Sequence, residues 1–492
     1  MAFWADNPLN RTQTLLFHPT LEEMVGENHP VRLFDELLRQ QDWSQWELQY
    51  CRFRGQPPIH PRIIVGAILY GMTLRLTSSR QLEDACNNRL DFIWLVHGHH
   101  IDHSTFAKFI IKHKKGLESL FAGISSLARQ MGYIELKEIV TDGTRIQANS
   151  SPHKTASKEE IKKWLACLEQ QISESLAQMA QNDEQEDRRY GSSGSPSQLP
   201  LPFHGLIKRK ELMQKAKQAV VEVEKRRAQK GESSPDKIAK VPVSDPDARV
   251  LPNKEAGFSP NYTPVISTDG KHGFIVDADV TASTAEAPVQ SQAVDRIEEI
   301  HGTRPEHMIG DGLYNDLENV QALEAKGVTL LIPVKPTGAT EEDVAYRSDP
   351  TEPVSSELVE KLPLSPNGYF TRNAFIFNLE LDCFFCPMGK CLDFKCITSH
   401  KKSDDSIRET RVYKALSSDC GSCPLKGQCI PAKQKNRRVE RMQGSEALDR
   451  TAERMKQTEN QERFRRRGVI GETPFAHIKG NLGIRRFRHR GR

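Results

Sequence analysis

The chain has 492 residues and a formal net charge of +4, from 69 Lys and Arg set against 65 Asp and Glu. That length accommodates about two or three domains with a sizeable core, and the near balance of charge excludes bulk basicity as an argument for a nucleic-acid partner. No apolar run reaches membrane-spanning length, and the stretch from Met1 to Pro8 lacks the basic and apolar regions of a signal peptide, so the expectation is a cytoplasmic protein with no membrane partner and reduced cysteines.

The first 133 residues read as an all-α N-terminal domain. His60-Pro61 opens an apolar run through Ile63, Ile64, Ile68 and Leu69, with Pro61 suited to a first helical turn. After a break at Thr77, Ser78 and Gln81 form a capping-box pair that starts a second helix. Beyond Gly98, Ser104 is the predicted cap of a third helix, on which Lys108, Lys112 and Lys115 recur at spacings of four and three and share a face. Short helix, turn, then a helix with a basic stripe is compatible with a helix-turn-helix reader of DNA, as it is with an ordinary bundle carrying solvated lysines. The histidines at 97, 99, 100 and 103 read as a polar connecting loop, because Asp102 is the one acid among them and no thiol is near.

From Ile134 the texture changes. The segment Ile134 to Asp142 largely alternates apolar and polar residues and ends at Asp142-Gly143, which predicts a strand closed by a turn. Residues 150–245 then read as an inserted helical hairpin: Leu165, Leu168, Ile172, Leu176 and Met179 follow helical spacing, and a second helix runs near Leu212 to Val223. A Gly/Ser linker, Gly191 to Ser197, lies between them. Tyr262 to Thr268 and Gly273 to Thr281 read as strands joined at Asp269-Gly270, followed by a helix from about Ala287 to Ile300. A strand ending at Asp311, a helix from Leu317 to Ala325 and the apolar strand Val328 to Pro333 come next. That order predicts a mixed α/β fold, a mixed sheet flanked by helices, assembled from residues 134–335 and 465–492. Residues 336–464 form a second insertion, Cys-rich from about Asp382 to Ile430, with a charged helical segment from about Val439 onward.

The Cys-rich stretch holds Cys383, Cys386, Cys391, Cys396, Cys420, Cys423 and Cys429. Two Cys-x-x-Cys pairs flanking a loop suit a structural zinc site closed by four thiolates. Seven cysteines exceed four ligands, and a metal-free cluster or an iron-sulfur centre fits the same spacing.

Glu472 is a lone acid in a basic, aromatic stretch from Arg463 to Lys479, with Arg485, Arg486, Arg488 and Arg490 beyond it. Alone it reads as charge relief on a solvated tail. With Asp142 and Asp311 at two strand ends, however, it completes a set of three carboxylates, which suits divalent cations that want hard oxygen ligands and must keep positions free for water and phosphate. Neither a Walker-type loop nor a serine nucleophile elbow is present, which excludes ATP-driven and serine-hydrolase chemistry of those kinds.

Several motifs together resemble the bacterial insertion-sequence transposases of the DDE type, in particular the IS-eleven-eighty-two-like group related to the IS-four and IS-five-like enzymes. They are Asn28-His-Pro-Val-Arg32, His60-Pro61, Ser78-Ser-Arg80, Thr141-Asp-Gly-Thr-Arg-Ile-Gln-Ala-Asn149, Asp245-Pro-Asp-Ala-Arg249, Ile309-Gly-Asp-Gly-Leu-Tyr-Asn315 and Glu472-Thr-Pro-Phe-Ala-His-Ile-Lys479, with a Gly-Ile-Arg-Arg-Phe run ending at Phe487. The likeness covers nearly the whole chain. It implies an RNase H-like catalytic core with Asp142, Asp311 and Glu472 as the acidic ligands of two Mg²⁺ or Mn²⁺ ions. It also implies DNA as partner, both element terminal inverted repeats and target, and a homo-oligomer of at least two copies. DNA contacts are then expected from Lys479, Arg465, Arg467, Arg485 and Arg486 beside Lys108, Lys112 and Lys115. Lys479 lies seven residues after Glu472, a spacing that shares one face of a continuous helix. Gly468 stands where related enzymes carry an arginine, which leaves open which arginine supports Glu472. Pro474 suits a first helical turn. The relatives' Cys-Pro-x-Gly and Cys-x-x-Cys-Pro-Leu pattern favours Cys386, Cys420, Cys423 and Cys429 as ligands of a structural Zn²⁺. Competing expectations are a DNA-binding regulator with an inactive site, or a metal-dependent nuclease that cuts without joining.

Overall fold

A computed structural model of the chain describes residues 19–50, 57–76, 78–190, 201–229, 238–253, 257–282, 287–334, 338–401, 407–432 and 434–491. The predicted break at Thr77 and the Gly191 to Ser197 linker lie outside them. The chain divides into two compact units, 1–134 with 476–483, and 135–475 with 484–492.

The first unit is helical: α1 (Pro30–Arg39), α2 (Ser44–Glu47), α3 (Pro61–Thr73), α4 (Ser79–Asn88), α5 (Leu90–Leu95), α6 (His103–Lys112) and α7 (Lys114–Gln130). Its core gathers Trp43, Trp46, Phe92, Trp94, Phe106 and Phe109. Helix α3 starts as its sequence dictates, with the His60 ring accepting from Arg62 N and Pro61 in the first turn. The Ser78–Gln81 capping box of α4 is formed in both directions. The cap of α6 differs from expectation: Asp102, not Ser104, accepts from Ser104 N at 2.6 Å and Thr105 N at 3.2 Å. A carboxylate is the stronger acceptor and complements the positive end of the helix dipole.

The lysine stripe is also interrupted. α6 ends at Lys112, and His113 is buried, its ring stacked 5.0 Å from Trp46 and hydrogen-bonded to the Tyr50 hydroxyl at 2.9 Å. Holding that imidazole in the core takes the chain out of the helical period, so Lys115 belongs to a separate helix from Lys108 and Lys112.

The second unit is built on a mixed seven-stranded sheet. Its strands are β1 (Glu138–Gly143), β2 (Ile146–Gln147), β5 (Arg249–Pro252), β6 (Phe258–Asp269), β7 (Ile275–Thr281), β8 (His307–Ile309) and β9 (Thr329–Leu331). The short ribbon of β3 (Thr155–Ala156) and β4 (Val241–Pro242) lies between β2 and β5 in sequence. β6 pairs antiparallel with β7 on one side and β1 on the other, while β1, β8 and β9 run parallel. The two parallel pairings need crossovers, supplied by α10 (Ala287–His301) and α11 (Leu317–Ala325). β1 begins later than the alternation predicts, because the N–H groups of Glu135 and Leu136 bond the buried Asp269 carboxylate and Leu136 takes a positive φ of 60°.

Residues inserted after β3 form α8 (Lys158–Tyr190) and α9 (Leu201–Gln229), packed through Ile161, Leu165, Leu168, Met213, Ala216 and Val220. The C-terminal stretch returns to the sheet edge. Phe487 meets Tyr262 edge-on at 5.7 Å, and Gly491 N donates to the buried Asp245, which also accepts from the Tyr262 hydroxyl at 2.7 Å.

The Cys-rich region departs most from expectation. After a short helix α12 (Ser356–Val359), it forms a five-stranded antiparallel sheet of β10 (Ile376–Asn378), β11 (Cys383–Phe385), β12 (Cys391–Lys401), β13 (Ile407–Ala415) and β14 (Arg438–Met442). Two short helices, α13 (Ser417–Gly421) and α14 (Lys426–Cys429), lie between β13 and β14. Val439 is therefore in a strand, and the charged helices α15 (Glu446–Lys456) and α16 (Thr458–Ala476) follow it. The cause is Arg441, which occupies an inward strand position and hides the two-residue period. It is buried, paired to Glu446 and Asp449, with its guanidinium 4.1 Å over the Phe377 ring.

Replacing Asp245 by Ala leaves the buried Tyr262 hydroxyl without its acceptor and should lower the stability of the second unit by about 1–3 kcal/mol, read from urea denaturation of the full chain. An unchanged unfolding midpoint would refute the role.

Candidate active site

The ends of β1 and β8 are in register: Val140 pairs with Ile309, so Asp142 and Asp311 each lie two residues beyond the same rung of two adjacent parallel strands. Strand ends in such sheets are where functional groups converge. Val140, Ile309 and Leu331, one from each parallel strand, form a fully buried apolar floor, and Phe464 and Ile470 of α16 pack on it with Met455 of α15. That packing lays α16 across the acids. Gly471 approaches closely: a Cβ there would lie 3.0 Å from Val140 Cγ1 and 3.2 Å from Asp142 Cβ. Glu472, the next residue, is exposed beside it.

Asp142 is half-buried and its Oδ1 accepts from Gly143 N at 2.9 Å. Burial pushes its carboxyl above the ordinary aspartate range; the Gly143 N–H and Arg467 oppose the shift, while the charges of Asp311 and Glu472 reinforce it. All three acids therefore act electrostatically on one place. Asp311 starts a 3₁₀ turn, Gly312–Tyr314, accepting from Leu313 N at 2.8 Å. Among the described residues no group of three or more His, Cys, Asp or Glu side chains is arranged to hold a metal ion, the three acids and the grouped cysteines included. The carboxylates are neighbours with lone pairs to spare rather than a closed cage.

The basic residues divide sharply. Arg463 donates to Glu138 and Asn460 and Arg466 donates to Glu138, so both pin α16 to the start of β1. Arg467 is half-buried, 5.5 Å over the Phe464 ring, and its charge acts on Asp142. Arg465 and Arg485 are exposed. Arg486 donates to the carbonyls of Ala148 and Ser150 at 3.2 Å each, a structural use of a side chain expected on DNA. In the first unit Lys108 and Lys115 are exposed, while Lys112 donates to Gln49 O and sits 4.1 Å over the Tyr50 ring. Lys479 lies in a π-helical turn, His477–Asn481, where the α-helical period behind its shared face with Glu472 has ended.

Pro474 does not start a helix: it sits in the last turn of α16, whose first residue is Thr458. There its ring costs one backbone hydrogen bond, and the Thr473 hydroxyl donates to the Val469 carbonyl.

The seven cysteines sort into groups. Cys386, Cys420, Cys423 and Cys429 lie near one another; Cys420 and Cys429 are buried in the core of the five-stranded sheet with Cys386 packed against it, Cys423 is half-buried, and burial pushes the Cys429 thiol up to about 12. Cys383 and Cys391 hydrogen-bond each other, and Cys391 also donates to Asp393 at 3.2 Å. Cys396 is exposed, and none of the seven forms a disulfide.

Comparison with known families finds two matches. Residues 19–112 match a transposase domain (DUF772), and residues 385–492 match a transposase DDE domain. Both support a transposase function. The second match spans Glu472 and the four grouped cysteines, while Asp142 and Asp311 precede it. No curated protein and no solved structure matches the chain. Among the described residues no helix is long and apolar enough to cross a membrane.

Because the Asp142 carboxyl is held above its ordinary range, its ionised form destabilises the folded chain at neutral pH, an effect relieved as pH falls through the raised value. Asp142→Asn should therefore raise the melting temperature of the metal-free protein by a few degrees. A fall in melting temperature would contradict the charge crowding.

Proposed function

We propose that this chain is a cytoplasmic DNA transposase of the insertion-sequence DDE type that cuts at the ends of its element and joins them to target DNA. One observation carries the reading: Asp142 and Asp311 each lie two residues beyond the Val140–Ile309 rung of adjacent parallel strands, and the charges of Asp311 and Glu472, the latter on the closely packed α16, both act on Asp142. The strand order β7-β6-β1-β8-β9, an antiparallel meander continued by two parallel strands, agrees with an RNase H-like core, the fold a DDE domain implies.

Three carboxylates with free lone pairs suit Mg²⁺ or Mn²⁺, and their mutual repulsion is the electrostatic need a cation meets. Two such ions, held by Asp142, Asp311 and Glu472, would activate water and neutralise charge at the attacking and leaving oxygens. The protein's own groups do the rest. Arg467 offsets charge at Asp142, and exposed Arg465 lies on the same helix where a phosphate backbone would pass. Lys108, Lys115, Lys479 and Arg485 are assigned to further phosphates, with inverted repeats and target DNA as partners and at least two copies of the chain holding two element ends.

The thiols of Cys386, Cys420, Cys423 and Cys429 match the donor set of a structural zinc site; burial favours the neutral thiol at Cys386 and Cys429, so a bound cation would have to displace their protons. Zn²⁺ there would tie the β11–β12 turn to α13 and α14. Purified protein should carry about one zinc per chain. Cys423→Ser should lose it and melt at lower temperature, and metal analysis without stoichiometric zinc would reject the site.

Glu472→Gln should reduce Mg²⁺-dependent cleavage of element ends by at least about 100-fold while end binding in a gel-shift assay stays near wild type. Retained cleavage would reject the acid assignment, and cleavage without strand transfer by the wild-type protein would reject joining.

A further inference from the structure

Two of the three acids follow a glycine, in the same tripeptide pattern: Ile309-Gly310-Asp311 and Ile470-Gly471-Glu472. Both isoleucines belong to one apolar cluster with Val140 and Leu331. Neither glycine is among the positive-φ residues, so backbone freedom does not account for them.

What each position lacks is space. At Gly471 a Cβ would meet Val140 Cγ1 at 3.0 Å and Asp142 Cβ at 3.2 Å. At Gly310 it would meet Tyr314 Cδ2 at 2.6 Å, Tyr314 Cγ at 3.1 Å and Gln290 Nε2 at 3.2 Å. The neighbours have nowhere to go. Val140, Gln290 and Tyr314 are fully buried, Tyr314 as the last residue of the Asp311 turn itself, and the Asp142 Cβ is fixed by strand β1, which pairs with β6 through Asp142. An added methyl would displace α16 in one case and, in the other, distort the Asp311 turn that carries Tyr314. Either displacement alters the separation of the carboxylates. Metal-ligand distances tolerate only about 0.2 Å, so a shift of a few tenths of an ångström that the fold absorbs is one a cation site does not.

We propose that Gly310 and Gly471 are positioning residues that set the spacing of Asp142, Asp311 and Glu472 by leaving a side chain out where the acid-bearing segments meet the sheet. The proposal rests on the assignment of those three acids and adds the device that spaces them. The Ile-Gly-acid pattern then has a division of labour: the isoleucine anchors in the shared cluster, the glycine permits approach, and the acid is delivered at the edge.

The test uses the full-length chain and Mn²⁺ alone as probe, followed by isothermal titration calorimetry. Gly471→Ala should weaken Mn²⁺ binding by about tenfold, a typical cost of disturbing residues behind metal ligands, while circular dichroism and melting temperature stay near wild type. Adding Val140→Ala removes the nearest clashing atom and should recover part of that affinity relative to Gly471→Ala. A general loss of packing would show the opposite order, with the double variant worst. Gly310→Ala is the second variant should Gly471→Ala fail to fold, and the same loss of about tenfold is expected. Wild-type affinity in a folded alanine variant, or a double variant no better than Gly471→Ala, would overturn the proposal. Equal Mn²⁺ affinity in wild type and Glu472→Gln would overturn the acid assignment itself, a failure read separately from that of the glycines.

Discussion

Helix α16 lies against the ends of three parallel strands, and the rest of the second unit's candidate chemistry depends on that contact. Val140, Ile309 and Leu331 supply a floor with no water access, and Phe464 and Ile470 descend onto it from the helix. Burying aliphatic side chains of this size contributes about 1.5–3 kcal/mol each, enough to hold a helix down but without preference for its axial position. Register comes from polar contacts. Arg463 and Arg466 both reach Glu138 at the start of β1, and Arg463 also meets Asn460 on its own helix. The apolar cluster sets the depth of the helix and the arginines set its position along the strands, so Glu472 arrives at the strand ends where the aspartates lie.

The same contact carries an electrostatic cost. Asp142 is drawn into partial burial with two other carboxylates acting on it, and the Gly143 N–H and Arg467 oppose the resulting shift without cancelling it. A fold selected for stability alone would not gather acids in this way. Their cost is borne by features elsewhere, such as the Asp277–Arg296 pair at 2.7 Å between β7 and α10, and the Glu324 carboxylate bridging Arg450 and Arg454 between α11 and α15. The charges that stabilise are paired; those at the strand ends are not. That contrast separates structural acids from candidate ligands better than composition does.

Much of this was legible in the chain because it rests on local rules. Asp-Gly after an alternating run marked the end of β1, the Ser78–Gln81 box marked a helix start, and the order of strand and helix patterns predicted a mixed sheet. What escaped was what tertiary contacts override. Arg441, inward-facing on β14, disguised a strand as part of a charged helix, and with it the five-stranded sheet around the cysteines. Pro474 suggested a helix start because its tolerance in a last turn depends on where the helix already began. His113 broke the lysine stripe through burial against Trp46, an interaction between residues far apart in sequence. Arg486 read as one more cation for DNA, while its partners Ala148 and Ser150 belong to a loop more than three hundred residues earlier. The repeated Ile-Gly-acid tripeptide was visible throughout but carried no meaning until both isoleucines fell in one cluster.

The candidate ligands are spread along most of the chain, with a helical hairpin between the first two and a five-stranded sheet between the last two. Such a separation is tolerable only if the intervening segments do not draw on the packing that aligns the acids. Each has its own core: Ile161, Leu165, Met213 and Val220 in the hairpin, and Phe375, Phe384, Leu392 and Tyr413 in the sheet. Neither set shares a residue with the Val140, Ile309 and Leu331 floor. The insertions therefore contribute surface and ligands of their own, the grouped thiols among them, while loop closure over long inserts adds only slowly to the entropic cost of folding. A central sheet with self-supporting inserts can change what surrounds its strand ends without moving the strand ends, and so the acids keep their place although long inserts separate them in sequence.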